Sequence, residues 1–429
     1  MEFLFVFASL AAILILTAFL LAVLFEPGLK YRVARSQAPV ASTQFVHYLS
    51  AIVNARLFVL REVSVLASGG AIYSAQLKAI RGARRSIHLE VYLFLQGKIG
   101  DEFLQSLAER ARHGVAVRLI VDRIGSLATR DRYFDSLRLD GGMVQWYQPI
   151  AWYTLKRFNN RTHRDLLIVD GETGFIGGVG VADYWVGPEG SGRPWRDTAV
   201  CLEGEIVKGL QTSFAENWLE AAGEILGEDE FALTDRVRTM TLEPHTGRAM
   251  VVNSTPSAGR STRARMLFQI LLAASRESIE ITSPYFLPDR SLAAELIRAV
   301  KRGVRVTVLT PGKWNNHPIA RLASRRRYGA LLEGGVLIHE YQPRMIHAKV
   351  LVVDGAWSVI GSTNFDSRSF GLNDEVNVAI VEPRLAASLH LDFIKDVAQS
   401  RLVTLAQWRR RPFAEKLLAT MARVLERQE

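Results

Sequence analysis

The stretch Met345–Asn364, Met-Ile-His-Ala-Lys-Val-Leu-Val-Val-Asp-Gly-Ala-Trp-Ser-Val-Ile-Gly-Ser-Thr-Asn, constrains the fold more than any other part of the chain. Val350–Val353 is an apolar, mostly β-branched run, Asp354-Gly355 is a turn dipeptide, and Trp357–Ile360 begins a return, so the pattern predicts a hairpin. Side chains alternate along a strand, which puts His347 and Lys349 on one face and Ala348 on the other. Ser362 and Asn364 end the return strand within reach of the same spot. An imidazole, an ammonium, a hydroxyl and an amide gathered there suit a phosphate ester, with one nucleophile or acid and three groups for the oxygens. Asp354 alone reads as a turn residue and Lys349 alone as a solvated charge. The full spacing His-x-Lys-x4-Asp-x6-Gly-Ser-x-Asn asks for more.

A second copy lies 184 residues earlier (347 − 163). His163-Arg164-Asp165-Leu-Leu-Ile-Val-Asp170-Gly171 runs on to Gly177-Gly178-Val179-Gly180, so His163 aligns with His347, Asp170 with Asp354 and Gly177 with Gly361. Upstream, Ser86-Ile87-His-Leu-Glu-Val-Tyr92 parallels Ser278-Ile279-Glu-Ile-Thr-Ser-Pro-Tyr285, and Gly114-Val115-Ala-Val-Arg118 parallels Gly303-Val304-Arg-Val-Thr307. Each half then repeats helix, strand, helix ending at glycine, strand and motif hairpin. A duplicated α/β domain follows.

The paired motif resembles the signature of the phospholipase D superfamily, and over nearly the whole chain after the N-terminal segment it is most similar to the bacterial cardiolipin synthase branch. Asp122-Arg-Ile-Gly125-Ser126 and Thr282-Ser-Pro-Tyr-Phe-Leu-Pro-Asp289 resemble further segments of that branch, although a strand-to-loop turn accounts for the first equally well. The resemblance implies two tandem phospholipase D-like α-β-α sandwich domains with pseudo-two-fold symmetry. It implies transphosphatidylation: one histidine attacks a phospholipid phosphodiester to give a phosphohistidine, and the other protonates the departing alcohol. In cardiolipin synthases donor and acceptor can both be phosphatidylglycerol, with glycerol released. By this resemblance His163, His347, Lys349 and Asn364 are the catalytic set, with Asp170, Asp354 and Ser362 in support. The family also places an acidic residue downstream of each motif to orient a histidine. Asp197 and Glu375 match, although for Asp197 a surface ion pair with an arginine explains as much. No metal or other cofactor is expected.

The first copy departs from the family pattern at two positions. Asp165 stands where lysine is expected and Gly180 where asparagine is expected. Exchanging an ammonium for a carboxylate swings the local charge by two, each unit being about 4 kcal/mol at 4 Å in an effective dielectric near 20. A dianionic transition state tolerates that only if Asp165 is protonated, paired or turned away. From residue chemistry, Asp165 favours protonation of His163 while Lys349 favours neutral His347, so His347 is expected as the nucleophile and His163 as the acid.

The rest of the chain sets the context. Phe3–Phe25 is apolar apart from Ser9 and Thr17, long enough to cross a hydrocarbon core of ~30 Å, and no signal-cleavage pattern follows. A transmembrane anchor over 1–27 is expected, with Lys30, Arg32 and Arg35 placing the following domains on the cytoplasmic side of the inner membrane in a single-pass arrangement. Residues 28–60 read as a connector, 61–230 and 245–400 as the two domains, Gly227–Pro244 as the link between them, and 401–429 as a basic amphipathic helix. The net charge of +10 favours an anionic partner. The expected partners are anionic phospholipid, phosphatidylglycerol first, and an acceptor alcohol or second lipid. No oligomer is needed to complete a site whose two motifs share one chain. Cys201 is the single cysteine, so no intrachain disulfide forms. Aromatic and basic residues between Met143 and Arg161, and the arginines of Arg321–Tyr328, are candidates for lipid contact. Three alternatives stay open: hydrolysis to phosphatidic acid, a non-catalytic lipid-binding descendant motivated by Asp165 and Gly180, and a nuclease, which the anchor disfavours.

Overall fold

The computed structural model describes residues 2–24, 31, 33, 38–149, 159–187, 194–231, 247–255, 262–412 and 415–416. After β1 (Leu57–Val59), the first half supplies β2 (Glu62–Leu66), β3 (Ser86–Val91), β4 (Ala116–Asp122), β5 (Met143–Tyr147), the two-residue β6 (Arg161–Thr162), β7 (Asp165–Val169), β8 (Thr173–Gly177) and β9 (Ala199–Glu203). The second half supplies β10 (Arg248–Ser254), β11 (Ser278–Thr282), β12 (Arg305–Pro311), β13 (Leu337–Tyr341), β14 (Val350–Val353), β15 (Trp357–Gly361), β16 (Asn373–Val381) and β17 (Ser400–Leu402).

The two sheets repeat each other strand for strand. The first runs β2-β9-β8-β7-β3-β4-β5, and the second contains β10-β16-β15-β14-β11-β12-β13 in the same order. In each, three parallel strands (β3-β4-β5 and β11-β12-β13) lie beside an antiparallel hairpin that carries the motif. The central parallel strands β3 and β4, and β12 beyond its first residues, are buried on both faces, as covered parallel sheets require.

Each hairpin tip is fixed by its own aspartate. Asp170 and Asp354 adopt left-handed φ values of 54° and 52°, followed by Gly171 and Gly355 at 66° and 58°. The Asp170 carboxylate accepts from the backbone N–H of Arg84, Arg85 and Ser86, at 2.7 Å from Arg85. Asp354 accepts from Arg276, Glu277 and Ser278 at 2.8–2.9 Å. Both carboxylates therefore tie the turn to the start of the neighbouring central strand. They work through backbone hydrogen bonds at the end of the hairpin away from the histidines.

One apolar cluster joins the halves. Ile168, Ile176, Val200, Phe214 and Trp218 of the first half pack in it with Val352, Ile360, Val376, Val378 and Ile380 of the second. At roughly 25 cal/mol per Å² of apolar surface removed from water, this is the dominant force holding the two motifs in register.

The 28–60 stretch is more than a connector. The helix Thr43–Ile52 buries Phe45, Val46 and Leu49 in the core of the second half, and β1 pairs with β10 at the edge of the second sheet. The chain thus contributes to its second half before it builds its first. Sequence periodicity could not assign so short a strand to a partner 190 residues away. Of the expected link Gly227–Pro244, residues 232–244 lie outside the described residues, while Glu230 at its start is buried against His88 and Arg118 of the first half. About half of the expected C-terminal helix also lies outside the described residues. Within the latter, Leu405–Arg409 is a short helix whose Trp408 donates to the Arg325 carbonyl at 2.6 Å and packs against Gly329.

A helix spans Glu2–Leu24, with side chains at 2, 4 and 18–24 outside the described set. Among the described residues no helix is long and apolar enough to cross a membrane.

Candidate active site

The motif histidines come together where the ends of the two hairpins meet across the shared core, each held by a carboxylate from the opposite half. His347 Nδ1 lies 3.1 Å from Asp197 Oδ2 and 3.0 Å from the Gly178 carbonyl. His163 Nδ1 lies 3.4 Å from Glu375 Oε1 and 3.1 Å from the Ser362 carbonyl. Gly178 and Ser362 are equivalent positions of the repeat, so the arrangement is pseudo-symmetric and crossed. Among the described residues His163 Nδ1 faces only acceptors, and His347 Nδ1 faces two acceptors with the Lys349 ammonium 2.9 Å away. The carboxylate and the carbonyl at each ring favour the Nδ1–H tautomer when the ring is neutral, which leaves Nε2 for chemistry.

The supporting groups are equally fixed. Asp197 is fully buried, accepts from Trp185 Nε1 at 2.9 Å and from the Thr198 N–H at 2.8 Å, and is no surface ion pair. Ser362 Oγ donates to Glu375 and accepts from the Val376 N–H at 3.1 Å. The serine therefore orients the carboxylate that orients His163. Asn364 is buried beside them, its Oδ1 without a hydrogen-bond partner among the described residues.

Lys349 is buried and lies 3.2 Å from His347 Nε2 and 2.9 Å from its Nδ1. Since Nδ1–H donates to acceptors, the ammonium can donate only to Nε2. Gly178 makes room for it: a Cβ there would stand 2.4 Å from Lys349 Nζ.

The degenerate positions have structural explanations. Asp165 is buried and its Oδ1 accepts from the Tyr92 N–H at 3.2 Å. A side chain at 180 would drive its Cβ to 2.7 Å from the Leu93 carbonyl, so the expected asparagine has no room.

Electrostatics separate the two histidines. Burial and the Lys349 ammonium push His347 down to about 4, against the opposing pull of Asp197. Burial also works against His163, yet Glu375 and then Asp165 raise it above its ordinary value. Burial lifts Asp165 to about 6, with His163 and Lys349 holding it back, so it is largely ionised at neutral pH. Burial would raise Asp197 too, but its bond with His347 and the Lys349 charge hold it below the ordinary carboxylate range. The site thus holds a neutral imidazole in one half and a readily protonated one in the other.

Sequence reasoning missed the aromatic walls. Trp185 and Trp195 rings lie 5.7 and 5.5 Å from His347, and the Tyr92 ring lies 5.0 Å from His163. Tyr92 stood in the repeat alignment and Trp195 beside Asp197, but nothing in their spacing marked them. One candidate lipid contact, Arg325, is held in ion pairs, and the Asp122 segment forms the strand-to-loop turn. Arg325, 8% exposed, pairs with Glu340 and Glu415, and Asp122 caps the N–H groups of Ile124 and Gly125 while pairing with Arg161 at 3.1 Å. The aromatics expected at 152–158 lie outside the described residues. Among the described residues no cluster of three or more His, Cys, Asp or Glu is placed to hold a metal ion.

Two equivalent sheets bringing paired histidine motifs into one site define the phospholipase D superfamily. Within it, the chain belongs to the family described as cardiolipin synthase, phospholipase D-like domain, whose model matches residues 77–184 and 268–397. The cardiolipin synthase of Geobacillus kaustophilus is 32% identical over 365 residues, covering 85% of this chain and 72% of its own. Cardiolipin synthase A of Pseudomonas fluorescens is 34% identical over 365 residues, covering 85% and 74%. The solved phosphatidylserine synthase of Haemophilus influenzae aligns with a TM-score of 0.69 over 90% of this chain and 100% of its own; at 14% identity it speaks to the fold alone.

Proposed function

We propose that the chain is a membrane-anchored phosphatidyltransferase of cardiolipin synthase type, acting on phosphatidylglycerol through a phosphohistidine on His347. The observation that carries this reading is the opposed protonation preference of two crossed histidine–carboxylate pairs in one buried site.

The steps follow from the geometry. Asp197 holds the Nδ1 proton of His347, so the Nε2 lone pair attacks phosphorus. Lys349, which lies against Nε2, turns to a phosphate oxygen as the anion enters, and the Asn364 amide contributes a further polar contact. The bond from phosphorus to the glycerol oxygen breaks, and protonated His163 delivers its Nε2 proton to that oxygen. Glycerol leaves, and His163 is now neutral. A second phosphatidylglycerol then loses its hydroxyl proton to His163 and attacks phosphorus, the bond to His347 Nε2 breaks, and cardiolipin is released. One lysine suffices because Asp165 maintains the acid rather than binding the anion.

The Glu2–Leu24 helix is the anchor in this reading. It runs for 23 residues, apolar in sequence apart from Glu2, Ser9 and Thr17. The consecutive residues Ile13, Leu14, Ile15 and Leu16 are all more than half exposed, so at these described positions the helix presents apolar side chains in every direction.

The test is to incubate the membrane-inserted protein with phosphatidylglycerol and to follow cardiolipin and phosphatidic acid by mass spectrometry, with His347→Ala alongside. Cardiolipin that vanishes in the variant is expected. Phosphatidic acid alone would make the protein a hydrolase, and phosphate trapped on His163 would reverse the assigned roles.

A further inference from the structure

A transferase whose acceptor is a second phospholipid has a requirement that one using a small alcohol lacks. The donor phosphate occupies the histidines and Lys349, and the acceptor carries its own phosphate a glycerol's length from its attacking hydroxyl. A second anion site must therefore open beside the first.

One cleft meets that requirement. It is open to solvent, holds about 410 Å³ of free space, and is lined by Trp195, Trp314, Asn315, Asn316, Arg344 and Met345. Trp195 is shared with the catalytic site, since its ring also lies 5.5 Å from His347. The wall is continuous through the backbone as well: the Arg196 N–H donates to the Met345 carbonyl at 2.8 Å, and the His347 N–H donates to the Arg196 carbonyl at 2.7 Å.

Arg344 is the informative residue. It is half-buried, its Nε is buried without a hydrogen-bond partner, and among the described residues its guanidinium makes no ion pair. Asp396 feels its charge, but that carboxylate is held by Arg196 at 3.0 Å. An Nε cut off from water without a partner carries a desolvation cost that a bound anion would offset, and the planar fork of the guanidinium suits a phosphodiester. Lys313, whose ammonium sits 5.1 Å from the Trp314 ring, adds positive charge at the rim, and Trp314, 39% exposed, offers an apolar face beside it. The amides of Asn315 and Asn316 supply hydrogen-bonding groups suited to hydroxyls.

We propose that this cleft binds the headgroup of the acceptor phospholipid, with Arg344 on its phosphate and Trp195 separating it from the donor at His347. The inference rests on the phosphatidyltransferase reading. It makes Arg344 a determinant of acceptor choice: it favours acceptors that carry a phosphate and is indifferent to those that do not.

The experiment compares the full-length wild type with Arg344→Gln in phosphatidylglycerol vesicles, with and without ethanol as a phosphate-free acceptor. Cardiolipin, phosphatidylethanol and phosphatidic acid are quantified from the same reactions. Arg344→Gln is expected to lower cardiolipin formation tenfold or more, through a raised KM for the acceptor, while phosphatidylethanol stays within twofold of wild type. Equal loss of both products would assign Arg344 to the donor or to folding, and no loss of either would leave the cleft without this role; each overturns the inference alone. Wild type forming neither product would overturn the transferase reading beneath it.

Discussion

His347 Nδ1 sits 3.1 Å from Asp197 Oδ2, a carboxylate 150 positions away in the other copy of the repeat. His163 is served in turn by Glu375 of the second copy. Neither half can orient its own histidine, so the site exists only when both halves are docked. Asp197→Asn would keep the shape, but it can present an amide N–H to Nδ1 and drive the proton to Nε2, where the nucleophilic lone pair is needed. Phosphoenzyme formation in single-turnover experiments is expected to slow by a factor on the order of 10³ or more. A loss of less than tenfold would mean that the tautomer is set elsewhere.

The opposed protonation states predict a bell-shaped pH profile. Activity requires His347 neutral and His163 protonated, so it is lost as pH falls towards about 4, where His347 takes up a proton. It is lost again as pH rises through the raised value of His163, above 6.5. Removing a negative neighbour makes His163 easier to deprotonate. Glu375→Gln should therefore move the alkaline limb to lower pH, and Asp165→Asn should move it the same way by less. Profiles of initial rate against pH check this; an alkaline limb that stays put in both variants would show that His163 does not titrate it.

Restoring the family asparagine is not expected to improve the enzyme. In Gly180→Asn the new Cβ meets the Leu93 carbonyl at 2.7 Å, and overpacking of this kind costs about 1–3 kcal/mol. Thermal unfolding should show the loss with no gain in rate. A faster enzyme of unchanged stability would refute the steric account of this departure.

Gly178→Ala tests the seat of Lys349. The added methyl falls 2.4 Å from Nζ, and a buried ammonium with no room to retreat must leave His347. Turnover should fall by at least tenfold while the melting temperature moves little, because the displaced atom is the end of a flexible side chain.

Asp170→Ala and Asp354→Ala should behave alike, and unlike the variants above. Each removes one carboxylate that accepts from three backbone N–H groups, at an expected cost of about 1–3 kcal/mol. Because Asp354 lies five extended residues beyond Lys349, roughly 16 Å, the folded fraction should retain its turnover. Chemical denaturation paired with specific activity separates the two effects.

The sequence alone determined the duplication, both motif hairpins and the two histidines, because these are written in local periodicity. A two-residue alternation, a turn dipeptide that tolerates left-handed φ, and one spacing used twice need no tertiary information. It also supplied the sign of the asymmetry, since a carboxylate and an ammonium two residues from a histidine act in opposite directions on any strand.

Only the tertiary structure decided which carboxylate serves which histidine, that Glu375 outweighs Asp165 at His163, that residues 43–59 belong to the second half, and that Arg344 lies beside Trp195 without an ion pair among the described residues. The reason is physical. These contacts are made across the interface that Ile168, Phe214, Val352 and Ile380 bury together, and apolar burial sets the docking of two sheets without leaving a periodic trace in the polar residues it brings face to face.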